Sequence, residues 1–191
     1  MADDPPSGKP ARGNPVTARE QLPGAHRSTY DRIAETRGRV GGPFPVLLQS
    51  PPLAERVAAL GEYLRFEGVL PDATRELAVL VTAREFDAPY EWAAHEPLAR
   101  AAGVSAAAVA AVLADGDSAL DDVPSAEALV VRYGRSLLRE HVVPEETFAS
   151  ASERFGDRGV TELTATLGYY AMLACVLGAF GISPGAPTPI D

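Results

Sequence analysis

The chain has 191 residues, of which 46% are hydrophobic and 23% are charged, and this composition predicts one packed globular core. Its formal net charge of -9 argues against nucleic acid as a partner, because phosphate binding needs clustered Lys and Arg. The single cysteine, Cys175, excludes an intrachain disulfide and a CxxC metal or redox motif. One thiol, together with an N-terminal stretch that lacks an apolar run, predicts a cytoplasmic protein without a secretory signal.

The first 25 residues are rich in Pro, Gly and charge, whereas the pattern from Ser28 onward is helical. We expect a disordered tail over residues 1–25, because this segment buries too little apolar surface to order itself, and a helical domain over residues 26–191. A first helix is predicted over residues 29–39, ended by the Gly-Gly-Pro sequence at 41–43.

Proline, glycine and serine mark the ends of the helices that follow. Ser50 precedes two prolines, and Ser105 follows Gly103, a pattern typical of helix starts and stops. No strand-like alternation of useful length occurs, so the fold class is predicted to be all-α, with about eight helices. One face of the second helix is expected to bury Leu53, Val57, Leu60 and Leu64. After the first helix, the predicted helices span residues 51–66, 73–86, 89–102, 106–114, 126–141, 145–155 and 162–180.

The last predicted helix lies in an uncharged segment, residues 163–182, whose length is close to that of a membrane span. Threonines, glycines and tyrosines dilute its hydrophobicity, and no Lys or Arg flanks its C-terminal end. We therefore expect a helix buried in the core or in a subunit interface, and no membrane partner.

The chain contains a faint internal repeat. Residues 64–74 read LRFEGVLPDAT and residues 137–147 read LLREHVVPEET, with five of eleven positions identical at an offset of 73. The similarity indicates either a duplicated helical unit or two helix–turn–helix joints of similar chemistry. In a duplicated unit, the second copy would lack the polar cluster described next and would serve as scaffold.

Three polar residues are candidates for chemistry. Glu91 and His95 are four residues apart on one predicted helix, so they share a face. Glu76 lies on the preceding helix, which a short turn should pack antiparallel, so Glu76 is expected beside His95. A carboxylate orients an imidazole and favours its charged form, and such a pair transfers protons near neutral pH. From the residues alone, a surface Glu–His contact explains the same spacing.

The stretch RELAVLVTAREFDAPYEWAAHEPLARAAGVS, residues 75–105, contains an R-E-L helix, a short turn and an E-W-x-x-H helix followed by G-V-S. It resembles the core of the carboxymuconolactone decarboxylase/AhpD-like superfamily. GPFPVLLQSPPLAERVAALGEYLRF at 42–66 and LGYYAMLACVLGAFGI at 167–182 resemble flanking segments of longer members. The resemblance implies the AhpD-like helical fold over residues 28–182.

The resemblance also implies which branch of the superfamily to expect. In the peroxidase branch, a glutamate, a CxxC pair and a histidine form a proton relay. The cysteine positions correspond here to Ala88 and Glu91, so a CxxC peroxidase is not expected, because thiolate chemistry needs a thiol. The decarboxylase branch lacks a redox pair and removes CO2 from a carboxylated unsaturated lactone without a cofactor.

By this resemblance, His95 is the expected acid or base, Glu76 orients it, and Glu91 is a second proton carrier or a polar wall. Arg84 is either a holder of a substrate carboxylate or a solvated charge at a helix end. The other candidate substrate contacts, which packing alone would also explain, are Trp92, Tyr169 and Tyr170.

Three hypotheses of function follow. The first is a cofactor-independent lyase or isomerase of small carboxylated, lactone-like or enolisable molecules. The second is hydrolysis or dehydration of a related small molecule, and the third is a non-catalytic scaffold or binding protein. Superfamily members generally form trimers or hexamers, so a homo-oligomer is expected, in line with the apolar last helix. No metal or cofactor is expected, because no convincing ligand spacing or glycine-rich phosphate loop occurs.

Overall fold

The computed structural model describes residues 12–114 and 116–191, except for the side chain of Asp117. The described residues form eight α-helices and no β-strand, so the predicted all-α class is confirmed. Residues 1–11, part of the predicted tail, lie outside the described residues. The helices are α1 Arg27–Arg37, α2 Phe44–Leu47, α3 Pro51–Glu62, α4 Asp72–Glu85, α5 Pro89–Ala101, α6 Ala106–Leu113, α7 Ser125–Arg135 and α8 Glu145–Phe180.

Glycine and serine set several helix ends, as the sequence predicts. The Ser105 side chain accepts a hydrogen bond from the backbone N–H of Ala108 at 3.1 Å and so caps α6. α1 ends earlier than expected, because Gly38 takes the left-handed conformation, with φ of 75°, before the predicted Gly-Gly-Pro stop.

The two helices predicted over 145–155 and 162–180 are both parts of α8. Gly156, with φ of 69° and ψ of 170°, forms the joint between them. Beyond this glycine the chain is helical at once, and the Thr161 hydroxyl donates to the carbonyl of Asp157 at 2.8 Å. The loop expected between the two helices is therefore reduced to one glycine.

Helix α4 is the centre of the molecule. Its residues from Arg75 to Ala83 are all buried, and it contacts α5, α6, α7 and α8. The larger apolar cluster surrounds it with side chains such as Tyr133, Leu163 and Leu167. A helix buried on every side is a rigid base for polar side chains that must hold a fixed position.

A second apolar cluster joins the N-terminal segment, α1, α2, α3 and the second half of α8. Val16 and Leu22 belong to it, and the backbone N–H of Val16 donates to the carbonyl of Pro45 at 2.7 Å. Residues 12–25 therefore depart from the expected disordered tail, because two apolar side chains anchor this polar segment.

The buried face of α3 differs from the predicted leucine stripe. Val57 and Leu64 are buried as expected, but Leu53 and Leu60 have 48% and 45% of their surfaces exposed. The other buried positions of α3 hold Ala54, Ala58 and Gly61, so small residues let α3 approach the rest of the core closely.

The internal repeat is also a structural repeat. π-helical turns occur at Tyr63–Glu67 and Ser136–Glu140, which have the same offset of 73. Pro71 precedes α4 with φ of -54° and ψ of 143°, and Pro144 precedes α8 with -56° and 144°. The matching backbone supports a duplicated helical unit.

Among the described residues, α8 alone is long and apolar enough to cross a membrane. In its most apolar window, 44% of the residues are buried inside the structure, and a core helix of a soluble protein meets the same criterion. The outer side of its second half exposes small and apolar residues, namely Ala165, Gly168, Met172, Cys175 and Ala179.

Candidate active site

Helices α4 and α5 form an antiparallel hairpin that carries the predicted polar residues. Asp87 in the turn takes φ of 44°, and the backbone N–H of Ala88 donates to the carbonyl of Ala83 at 2.8 Å. This tight reversal brings Glu76, near the start of α4, opposite His95 in α5.

His95 lies between two carboxyl groups. Its Nδ1 is 2.7 Å from Oε2 of Glu76, a hydrogen bond, and its Nε2 is 3.5 Å from Oε2 of Glu91. All three side chains are buried, with exposed fractions of 7% for His95 and 4% for each glutamate. The Tyr170 ring meets the imidazole edge-on, with ring centroids 5.0 Å apart. The contacts hold the imidazole in one orientation.

The two carboxyl groups have opposite pKa shifts. Burial raises the pKa of Glu91, and the positive charges of His95 and Arg65 oppose this only in part. Burial acts in the same direction on Glu76, but the hydrogen bond with His95 and the charges of His95, Arg75 and Arg65 outweigh it and lower the pKa of Glu76. Such separation is typical of a site with one proton carrier and one permanent carboxylate.

A cavity of about 220 Å³ opens beside His95. Its walls come from α5, α8, the loop between α1 and α2, and the π-helical turn after α3. Glu91 and His95 line it, whereas Glu76 is behind the imidazole. Arg37, Arg39 and Arg65 also line the cavity, which gives it a positive character suited to an anionic group.

Tyr169 and Tyr170 form part of the cavity wall, as predicted. Their rings meet edge-on, with centroids 5.2 Å apart, and the Tyr169 hydroxyl donates to the carbonyl of Val57 at 3.1 Å. Burial raises the pKa of both hydroxyl groups, so they stay protonated at neutral pH. A Cβ at Gly61 would overlap the Tyr169 hydroxyl and lie 2.8 Å from Nη2 of Arg37, so the glycine makes this arrangement possible.

Residues 51–130, a range that contains both glutamates and the histidine, match a family model described as the carboxymuconolactone decarboxylase family. The fold is similar to that of a crystal structure described as an alkylhydroperoxidase AhpD core, an uncharacterized peroxidase-related protein from Ralstonia eutropha JMP134. The two chains are 20% identical, with a TM-score of 0.73 over 93% of this chain and 94% of the other. Residues 51–130 are therefore similar to the carboxymuconolactone decarboxylase family, and the fold of the chain is that of the AhpD core. A search of curated proteins found no match.

By the resemblance drawn from the sequence, the positions that correspond to the redox cysteines of the peroxidase branch hold Ala88 and Glu91. Ala88 is the buried residue before α5, and Glu91 faces the cavity. Cys175 is exposed on α8 and does not line the cavity. The imidazole of His95 therefore has a carboxyl group where the peroxidase branch has a thiol.

Two predicted substrate contacts lie outside the cavity. Nη1 of Arg84 is 3.0 Å from Oδ1 of Asp87 in the turn between α4 and α5. The guanidinium therefore forms an ion pair within the turn and does not line the cavity. Trp92 belongs to the larger apolar cluster and lines a separate cavity, because its side chain leaves α5 on another side than His95.

Four polar residues line the cavity that the sequence did not predict as site residues, namely Arg37, Arg39, Arg65 and Tyr90. A signal was present for the first two, because they precede a glycine-rich turn. Within that turn Gly42 has φ of 58°, and a Cβ there would lie 3.0 Å from the Tyr90 ring. In the part of the chain that the structure describes, no group of three or more His, Cys, Asp or Glu side chains has a metal-holding arrangement.

Proposed function

We propose that this protein is a cofactor-independent lyase or isomerase that acts by acid–base catalysis on a small carboxylated, lactone-like or enolisable molecule. The observation that supports this most directly is His95 held between Glu76 and Glu91, whose pKa values are shifted in opposite directions. The lowered pKa of Glu76 favours the carboxylate that orients the imidazole, while the raised pKa of Glu91 favours a carboxyl group that can carry a proton at the cavity.

In a decarboxylation, the carbon–carbon bond to the carboxylate breaks and CO2 leaves. The electron pair passes into a conjugated carbonyl, which becomes an enolate, and the carbon then takes a proton from the Glu91 and His95 side chains. In an isomerisation, the same two groups remove a proton from one carbon and return it to another. Neither reaction needs electrons from outside the site.

The arginines of the cavity supply the electrostatic part of this mechanism. Arg65 is close enough to shift the pKa values of both Glu76 and Glu91. Arg37 stacks on Phe44, with its Cζ 4.4 Å from the ring centroid, and so presents a fixed guanidinium. A fixed positive charge stabilises an enolate oxygen more than the neutral carbonyl from which it forms. A cavity of 220 Å³ restricts the substrate to a small molecule.

The proposed function does not use peroxide. A dithiol peroxidase cycle needs two thiols, and this chain has one, Cys175, which is exposed on α8 away from the cavity. Peroxide turnover that disappears in Cys175→Ser would count against the proposal and in favour of thiol chemistry.

The proposal is tested by incubating the protein with carboxylated lactones and β-keto acids and analysing the products by mass spectrometry. His95→Gln is compared with His26→Gln, the same substitution at a histidine that does not line this cavity. We expect conversion by the natural protein and by His26→Gln, and loss of conversion in folded His95→Gln.

The product distinguishes the reaction classes. Release of CO2 or movement of a double bond supports the lyase or isomerase, whereas gain or loss of water would indicate hydrolysis or dehydration instead. Binding of a compound without conversion by any of the three proteins would favour a scaffold or binding protein.

A further inference from the structure

A second cavity, of about 510 Å³, lies on another side of α5 from the candidate active site. Its walls are α5, α6 and residues 184–189, and it shares no lining residue with the cavity beside His95. We call residues 182–191 the C-terminal strap. Trp92 forms the base of this second cavity, with 3% of its surface exposed.

The C-terminal strap is attached at both ends and bowed between them. At its start, the backbone N–H of Ile182 donates to the carbonyl of Leu177 at 2.9 Å. At its end, Ile190 is buried in the larger apolar cluster, and Asp191 accepts hydrogen bonds from Thr188. Prolines at 184, 187 and 189 fix the backbone angle φ and remove donors. The strap is therefore anchored on both sides of the cavity that it covers.

The chemistry of the walls indicates an uncharged, ring-bearing ligand. Trp92, Val109 and Leu113 supply an apolar floor, and the indole offers a face for stacking. The ionic side chains in the wall, Glu96 and Arg100, bond to each other, so they bring no net charge. A volume of 510 Å³ is within the range of small-molecule sites.

One polar feature specifies a donor group on the ligand. Pro97 lies inside α5 and has no N–H, so the carbonyl of Ala93 lacks the helical donor that position 97 would otherwise supply. Ala93 is exposed and lines the cavity. We propose that the cavity under the C-terminal strap is a second binding site, which takes a neutral ring compound carrying a hydroxyl group, such as a phenol.

Adjacent alanines offer a matched pair of variants. Ala93 lines the second cavity and Ala94 lines the cavity beside His95, and both are exposed, so a larger side chain at either disrupts no core packing. Ala93→Phe should fill the second cavity, and Ala94→Phe should fill the other.

The test uses the single tryptophan, whose indole N–H gives one cross-peak in a nitrogen–proton correlation spectrum. Titration with p-cresol should move the Trp92 cross-peak saturably in the natural protein and in Ala94→Phe, with at least a tenfold loss of affinity in Ala93→Phe. Ile190→Ser, which loosens the strap, should weaken binding as well. The anion p-toluate, of similar shape, should not saturate the Trp92 shift.

Three outcomes would overturn the proposal: no saturable shift, an equal affinity in Ala93→Phe, or a loss of binding confined to Ala94→Phe. Equal binding of p-toluate would overturn the assignment to uncharged ligands. Because these titrations need no substrate turnover, their result is independent of the proposed function.

Discussion

At the scale of single residues, the site depends on how differently its two glutamates are surrounded. Glu76 meets an imidazole and two nearby guanidinium groups, whereas Glu91 is buried 3.5 Å from the other nitrogen of the same ring. The pKa of Glu76 is lowered, which favours its ionised form, and the pKa of Glu91 is raised, which favours its protonated form. The sequence predicted that these residues meet, because helical spacing and a short turn are local features.

We predict that Glu91→Gln becomes more stable relative to the natural protein as pH rises. Burial raises the pKa of Glu91, so below this pKa the folded protein holds a neutral carboxyl that glutamine replaces closely. As pH rises from the ordinary carboxyl pKa of about 4.3 to this raised pKa, the unfolded chain ionises before the folded protein does, so the natural protein loses stability that the variant retains, and the difference is constant above the raised pKa. Thermal unfolding of both proteins between about pH 4 and 9 measures the difference.

Glu76→Gln is the matched control, with the opposite dependence. The pKa of Glu76 is lowered, so its ionised form stabilises the fold above the usual carboxyl pKa of about 4.3, and this stability is lost as pH falls through the lowered pKa. The variant should be less stable than the natural protein at neutral pH, by about 1–3 kcal/mol, and similar to it in acid. Parallel pH profiles for the two variants would contradict the assigned roles.

The arginines give a second prediction at this scale. Arg65→Gln should lower kcat/KM for a carboxylated substrate by about tenfold or more, because a charged partner of the anionic group is lost. Arg84→Gln should change it less than about twofold, since Arg84 only pairs with Asp87 outside the cavity and such surface pairs contribute less than about 1 kcal/mol. Steady-state kinetics of both variants checks this, and equal losses would contradict the placement of the two arginines.

Of the two roles that the sequence left open for Arg84, the structure favours the charge at a helix end, and the arginines that line the cavity are other ones. Arg84 lies close along the chain to the Glu–His pair, but its own neighbour Asp87 binds it. Arg37 and Arg65 reach the cavity from α1 and from the turn after α3, far along the chain from His95. These two arginines meet at the cavity only because α3 packs against α8. A contact between helices so far apart along the chain cannot be predicted from helical spacing or turn residues.

At the scale of helices, the close approach of α3 and α8 determines the cavity wall. Small residues on α3 allow it, and Gly61 is the point where the Tyr169 hydroxyl comes nearest. The prediction that one stripe of leucines is buried was wrong for Leu53 and Leu60, because helical periodicity allows several buried faces. The face that packs against the core is the one that carries small residues.

We predict that Gly61→Ala destabilises the fold by about 1–3 kcal/mol and lowers activity, because the added Cβ displaces Tyr169 and Arg37. Gly24→Ala is the control outside α8, because a Cβ there also meets nothing within 4 Å. Chemical denaturation of both variants measures the free energy of unfolding. A destabilisation of similar size at Gly61 and Gly24 would argue against a specific contact at Gly61.

Helix order was predictable over most of the chain, because Pro, Gly and Ser mark ends locally. The exception is the loop expected between two helices over 145–155 and 162–180, which is absent from α8. Gly156 marks the break, but this one residue with positive φ is enough to join the two helical segments, and the helix resumes immediately after it. Residues 12–25 depart from the expected disordered tail, because the overall composition of the segment is polar and does not reveal that two single apolar side chains, Val16 and Leu22, are buried and anchor it.

At the scale of the whole molecule, we propose that the protein forms a homo-oligomer through the second half of α8. Its outer face exposes small and apolar residues, with Met172 at the centre. We predict that Met172→Glu lowers the mass in sedimentation equilibrium to that of one chain, because the charge cannot be buried between copies. Phe148→Glu, at an exposed position outside that half of the helix, is the control. A natural protein that sediments as one chain would contradict this proposal.

The central claim is that His95 and its two carboxyl groups move protons on a bound substrate. The most direct test is turnover in D2O of any compound that the screen shows to be converted, with mass spectrometry of the product. We predict that the natural protein places one deuterium on the carbon that reacts, and that His95→Gln, folded and still able to bind the compound, does so at least a hundredfold more slowly. Equal rates of deuterium incorporation in the two proteins would contradict acid–base catalysis by His95.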